Sequence, residues 1–267
     1  MPLSQPSGAH ERAHGDGSLP RGGGASPGGG ASPGGGAPPG GRTRDVTTPE
    51  PAFARDPATA RYYDRRAPEY DEWYQGQGRF ATRDRPGWAT EVEELVALVG
   101  SLPPMRTLDV ACGTGFLTRH LRGLVVGLDQ SPTMVGLARP RLATGSALVG
   151  SALALPFATA SFDRVTTAHF YGHLPPDERA AFLAEAQRVA PELVVIDSAR
   201  RPGVEAERFD ERILNDGSRH RIFKRFLSAE RLCAELAGEA LFAGRWFVAA
   251  RTRRSPGRAG RAGSTDR

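Results

Sequence analysis

The segment Thr107-Leu108-Asp109-Val110-Ala111-Cys112-Gly113-Thr114-Gly115-Phe116-Leu117-Thr118 constrains this chain more than any other. It reads as a short buried strand, a glycine turn and the start of a helix. A second apolar run, Leu124-Val125-Val126-Gly127-Leu128-Asp129, ends on an acid 20 residues after Asp109. Gly113 and Gly115 allow a ligand to approach backbone that a Cβ would block. A helix starting near Thr114 would offer unpaired N–H groups and a positive dipole end. Asp129 is placed to hydrogen-bond the two hydroxyls of a ribose. Together these features predict a nucleoside-containing ligand lying across the carboxyl ends of two parallel strands.

A dinucleotide fingerprint would carry a third glycine three positions after Gly115, for close helix–strand packing. Thr118 stands there instead. Asp109, inside the first strand, would repel a pyrophosphate but suits the cationic end of an amino acid. Both features argue against a nicotinamide oxidoreductase. At this point the chain resembles the class I S-adenosylmethionine-dependent methyltransferases, whose first motif has the form hhDhxCGxG. Three further segments match that family in order. They are Val126-Gly127-Leu128-Asp129-Gln130-Ser131-Pro132-Thr133-Met134, Gly150-Ser151-Ala152-Leu153-Ala154-Leu155-Pro156-Phe157, and the run from Ser161-Phe162-Asp163-Arg164-Val165 to His173-Leu174. The likeness covers roughly residues 60 to 252.

The resemblance implies S-adenosyl-L-methionine as cofactor. Asp109, Ala111, Gly113 and Gly115 would hold its amino-acid end and Asp129 its ribose. Gln130 and Met134 would flank the adenine, with Ser151 and Ala152 at its edge. The family often has an acid where this chain has Ser151, which implies a different hold on the adenine amino group. The family's methyl group points to the loop after the fourth strand, His169-Phe170-Tyr171-Gly172-His173-Leu174. His169 is thus a candidate cofactor or substrate contact. His169 and His173 are the candidate general bases, because histidine titrates near neutral pH. Tyr171 could line the pocket or simply pack. A Tyr-rich leader, Tyr62 to Tyr74, would act as a lid that brings Tyr63 and Tyr70 to the methionine part of the cofactor; the alternative is an aromatic stripe packed on the domain.

The pattern of elements predicts an α/β, doubly wound domain. By resemblance its sheet is seven-stranded and mostly parallel, with an antiparallel last strand. Helices are expected at 58–73 (broken near Pro68), 88–99, 114–122, 132–139, 176–189 and 228–237. Strands are expected at 107–110, 125–128, 147–149, 163–168, 193–197, 222–226 and 241–252. The Arg-rich insert from Arg200 to Arg221 reads as a solvated charged helix or as a cap. The cap reading implies an anionic acceptor, because arginine grips a carboxylate bidentately.

Three domain segments follow. Residues 1–56 form a Gly/Pro/Ser/Ala-rich tail expected to be disordered, because its GGGASP repeats bury too little apolar surface to offset ordering entropy. Residues 57–252 form the catalytic domain with its lid, and 253–267 a basic disordered tail. The chain's net charge of +5 is matched by Arg251 to Arg267 alone, leaving a neutral body, which argues against a nucleic-acid groove. Lys224 is the only lysine among 35 basic side chains. The tail lacks the apolar core of a signal peptide, and no apolar run reaches bilayer length, so a soluble, cytoplasmic protein without membrane contact is expected. Two cysteines make neither a disulfide framework nor a metal site, and no metal is implied. Cys112 reads as a small packing residue. The reading is a methyltransferase acting on a small-molecule acceptor. Its rivals are a cofactor-binding protein of the same fold without turnover, and a methyltransferase acting on RNA or protein. The sequence is silent on oligomeric state.

Overall fold

A computed structural model describes residues 52–252. The expected tails, through residue 51 and from residue 253, lie outside the described residues. Helix α1 (Pro57–Arg66) starts where the Asp56 carboxylate accepts the Ala58 N–H at 2.8 Å and Pro57 fills the first helical position. A 3-10 turn at Ala67–Glu69 marks the break at Pro68, and α2 (Glu72–Gln75) and α3 (Trp88–Ser101) follow. The domain continues with β1 (Thr107–Val110), β2 (Val125–Asp129), α4 (Pro132–Ala138), β3 (Gly145–Val149), β4 (Arg164–Ala168), α5 (Pro176–Val189) and β5 (Leu193–Ser198). Then come β6 (Glu207–Ile213), β7 (Arg219–Arg225), α6 (Ala229–Leu236), β8 (Gly238–Ala243) and β9 (Phe247–Thr252).

Seven strands form one sheet in the order β3-β2-β1-β4-β5-β9-β8. The first five run parallel, and β9 pairs antiparallel with both β5 and β8. Strand order reverses between β1 and β4, which opens a crevice at their carboxyl ends. The register sets Asp109 beside Gly127 on one side and Thr166 on the other. Period-two alternation sends Val195 and Val248 to the core on one sheet face, and Ile196 and Phe247 to the core on the other.

Four expectations are corrected. No α-helix follows the glycine turn; only a 3-10 turn forms, at Thr118–His120. Gly113 and Gly115 hold φ of +54° and +79°, outside helical space, and α3 packs its Val92, Leu95 and Val99 with Phe116 and Leu117 instead. The expected last strand is two strands, because the Glu91 carboxylate of α3 accepts the N–H groups of Arg245, Trp246 and Phe247 and reverses the chain there. The Arg-rich insert is not helical. It forms β6, which pairs with β7 in a separate two-stranded sheet, so the strand expected at 222–226 does not join the main sheet. Finally, the ordered domain starts before residue 57. Phe53 is 3% exposed, and the Glu178 carboxylate on α5 accepts the N–H groups of Phe53, Ala54 and Arg55. No helix among the described residues is long and apolar enough to cross a membrane.

Candidate active site

At the crevice, each carboxylate is fixed by a neighbouring strand or turn. Asp109 accepts the hydroxyls of Thr118 and Thr166, the latter at 2.7 Å. Burial lifts its pKa to about 6. Asp129 closes β2; its two oxygens accept the N–H groups of Gly113 and Ser131, each at 2.9 Å. A carboxylate has about four acceptor sites, so Asp129 keeps capacity for a hydroxyl donor. Burial lifts Asp129 to about 6 as well. The glycine turn therefore spends the Gly113 N–H on Asp129, and with no helix behind it there is no dipole end aimed at a ligand.

The leader docks over this turn through two acids. Asp64 of α1 accepts the hydroxyl of Ser131, the N-cap of α4, and the Thr133 N–H at 3.3 Å. Asp71 accepts the Thr114 hydroxyl and pairs with Arg141 at 2.6 Å. These ties lay the Tyr70 ring across Gly113, where an added Cβ would sit 3.6 Å from it. Gly115 instead serves close packing, since a Cβ there would come within 3.3 Å of Ala138 on α4.

Beneath the leader lies a partly open cavity. Of the expected cofactor contacts, it gathers Tyr63, Tyr70, Ala111, Asp129, Gln130, Ala152 and His169 in its wall. Asp109, Gly113 and Gly115 sit outside that wall. Met134 is also outside, fully buried on the inner side of α4. Ser151 turns outward, its exposed hydroxyl accepting the Leu153 N–H at 3.2 Å, so it caps a local turn. Phe53, Ala54, Ala168 and Phe170 complete the wall and were not anticipated. Phe170 belongs to the loop already singled out after β4. The pair Phe53-Ala54 carried one signal, a lone aromatic between a Gly-rich run and the Asp56-Pro57 helix start.

His169, at the end of β4, has φ of +57° and is enclosed by Trp73, Tyr74 and Phe247 at ring distances of 4.8, 5.6 and 5.4 Å. Both its ring nitrogens are buried without a hydrogen-bond partner. Burial drives its pKa down to about 3. His173 donates from Nδ1 to the Phe223 carbonyl at 2.6 Å and stacks on Phe53 at 4.7 Å. Burial, followed by the charge of Lys224, pushes it well below the usual histidine range. The expectation that these rings titrate near neutrality is thus corrected: both are neutral and neither is poised to take a proton there. Tyr171 packs with its hydroxyl donating to Glu235 at 2.8 Å, away from the crevice. Cys112 is buried beside Val135, Ala138 and Ala147, which fits the packing role. Among the described residues, no cluster of His, Cys, Asp or Glu could hold a metal ion.

A family model described as a methyltransferase domain matches residues 107–192, from β1 to the start of β5. The chain is 37% identical over 107 residues to demethylmenaquinone methyltransferase of Thermotoga maritima, covering 38% of this chain and 44% of that protein. It is 37% identical over 138 residues to the enzyme of the same name from Renibacterium salmoninarum, covering 51% of this chain and 55% of that protein. The chain thus spans about half the length of these relatives. Among solved structures, the DhpI–SAH complex superimposes with a TM-score of 0.58 at 27% identity, over 74% of this chain and 96% of that one.

Residues 107–192 carry a methyltransferase domain, and the fold around them is that of the class I S-adenosylmethionine-dependent methyltransferases. Its sheet order and antiparallel β9 are those of this Rossmann-like methyltransferase fold. In this methyltransferase domain the matched segment, residues 107–192, runs along one rim of the cavity that the leader roofs.

Proposed function

We propose that this chain transfers a methyl group from S-adenosylmethionine to a small-molecule acceptor. The observation that carries the reading is Asp129. It ends β2 in the cavity wall, keeps acceptor capacity for a hydroxyl donor, and shares that wall with the leader's Tyr63 and Tyr70. The cavity suits a nucleoside with an amino-acid arm, since its polar groups are few and convergent. Asp129 would hold the ribose, Gln130 and Ala152 would border the adenine, and Tyr63 and Tyr70 would cover the methionine arm. When bound, S-adenosylmethionine supplies a methyl group made electrophilic by its sulfonium.

The protein's work is then positioning and the exclusion of water. Phe53, Phe170 and the leader tyrosines close the cavity against solvent. His169 offers a neutral ring at the carboxyl end of β4, able to hydrogen-bond an acceptor but not to hold its proton at neutral pH. An acceptor with a lone pair already free matches this site better than one that needs a strong base.

Calorimetric titration of the purified protein with S-adenosylmethionine, S-adenosylhomocysteine and NAD, repeated on Asp129→Ala, tests the reading. Micromolar binding of both sulfur compounds is expected, at least tenfold weaker in the variant and absent for NAD. Failure of both to bind the unaltered protein would overturn it. Tight binding with no transfer to any acceptor in a broad panel would favour a binding protein without turnover.

A further inference from the structure

Beside the cavity beneath the leader lies a second pocket, and the two share Tyr63, Tyr70 and His169 as a common wall. Its charged lining is Arg66, Arg212 and Lys224, with no carboxylate. Lys224 is already tied to the buried Asp197, and Arg212 donates from Nη2 to Asp210 at 2.9 Å. Arg66 makes no ion pair among the described residues. It is 5% exposed, donates to the Tyr62 hydroxyl at 3.1 Å, and lies over the rings of Tyr62, Tyr70 and Phe80. The Nε of Arg212 is buried without a partner, and so are both nitrogens of His169.

A wider cleft of about 400 Å³ continues outward from Arg212 and Lys224. Two acids line it, Asp84 and Asp210, and Asp210 is engaged by Arg208 and Arg212. There Arg83, Arg85 and Arg201 add positive charge without ion pairs among the described residues, resting on aromatic faces; Arg85 lies 3.8 Å from the centre of the Trp88 ring. Burial and the neighbouring Arg83 bring Arg85 down to about 10, which leaves it charged at neutral pH. Like charges held this close, half out of water, are costly unless an anion joins them. Guanidinium groups meet oxyanions through paired hydrogen bonds.

We propose that the methyl acceptor is an organic oxyanion, a carboxylate or a phosphate, whose charged group is held by Arg66 and Arg212 beside His169. This deepens the proposed function and rests on it. It also moves the cationic contact expected from the insert: Arg219 pairs with Glu211 on the exposed face of the hairpin, and Arg221 covers Phe209 there, so neither reaches the two chambers.

The test uses full-length protein saturated with S-adenosylhomocysteine, titrated calorimetrically with benzoate, phenyl phosphate and the neutral analogue benzamide. At least one anion is expected to bind tenfold or more tightly than benzamide, and which of the two binds tells carboxylate from phosphate. In Arg212→Gln, whose side chain is a quarter exposed, that anion should lose at least tenfold in affinity while S-adenosylhomocysteine changes by less than twofold. Arg66→Lys should lose less than Arg66→Gln. Equal affinity for the anions and benzamide, or an Arg212→Gln variant that binds the anions as well as the parent, would overturn the proposal and leave the cofactor reading standing. Absence of S-adenosylhomocysteine binding in the parent would bring down both.

Discussion

Replacing Glu178 by Gln isolates the tie that seals the cofactor cavity. The Glu178 carboxylate, 1% exposed, accepts the Ala54 N–H at 2.7 Å, the Arg55 N–H at 3.0 Å and a shared bond from Phe53 at 3.3 Å. Gln keeps one accepting oxygen and turns an amino group toward N–H donors. A hydrogen bond to a charged group contributes roughly 1.5–3 kcal/mol. Losing one, with a donor facing a donor in its place, should weaken the docking of this strap by about 3 kcal/mol, which corresponds to roughly 100-fold in its opening equilibrium. The exposed Arg55–Asp177 pair adds little to the restraint. Amide hydrogen exchange read by mass spectrometry should show segment 53–55 exchanging on the order of 100 times faster, with the interior of α5 unchanged. Affinity for S-adenosylhomocysteine should fall in parallel, because Phe53 and Ala54 line the cavity. Exchange within threefold of the parent would refute the claim that this carboxylate holds the strap.

Other consequences are open to equally direct measurement. Gly115→Ala forces a left-handed residue against Ala138, so it should lower stability by about 1–3 kcal/mol in denaturant melts; a neutral outcome would contradict the packing. Asp129 reaches a pKa of about 6 through burial, and a cationic ligand favours its ionised form. Affinity for S-adenosylmethionine should therefore fall about tenfold from pH 7 to pH 5, and Asp129→Asn should flatten that dependence. His169 has a folded-state pKa near 3, below its ordinary value, so the stability it contributes is present above pH 6.5 and is lost as pH falls toward 3. Its ring signals in a nuclear magnetic resonance titration should stay neutral from pH 5 to 8; an inflection near 6.5 would contradict the burial. Burial opposes ionisation of Asp197, but Lys224 beside it holds the carboxyl at about 2. Asp197→Asn would strand the Lys224 ammonium and should cost about 3–5 kcal/mol in thermal melts.

The parallel half of the sheet and its crevice were legible because their signals are local. A short strand, Thr107-Leu108-Asp109-Val110, a glycine turn and a terminal acid specify β1 and Asp129 within about twenty residues. The antiparallel β9 and the break at Pro68 were also legible, the first by family resemblance and the second from proline's missing N–H. What escaped depends on distant partners. Nothing near Phe53 announces that a glutamate 125 residues later will bind its backbone. The turn at Gly244–Trp246 depends on Glu91, and the Thr114–Arg122 helix failed because α3, not its own sequence, supplies the packing there. In the insert, charges on both faces of β6 hid a period of two. The histidines were misjudged because residue type gives a solution pKa, whereas their enclosure by Trp73, Tyr74, Phe53 and Phe247 sets the real one.

The β6–β7 hairpin satisfies its own backbone hydrogen bonds and lends no strand to the seven-stranded sheet. Its Arg212 and Lys224 nevertheless face the chamber behind His169. Insertions, deletions or wholesale exchange of this hairpin would leave the pairing that aligns Asp109 with Gly127 and Thr166 untouched. On the proposed reading, rewriting the hairpin between β5 and α6 would trade one acceptor for another with the nucleoside site kept, provided Lys224 stays to pair with the buried Asp197. Grafting hairpins that keep this lysine is, on the same reading, a direct route to redirecting acceptor choice.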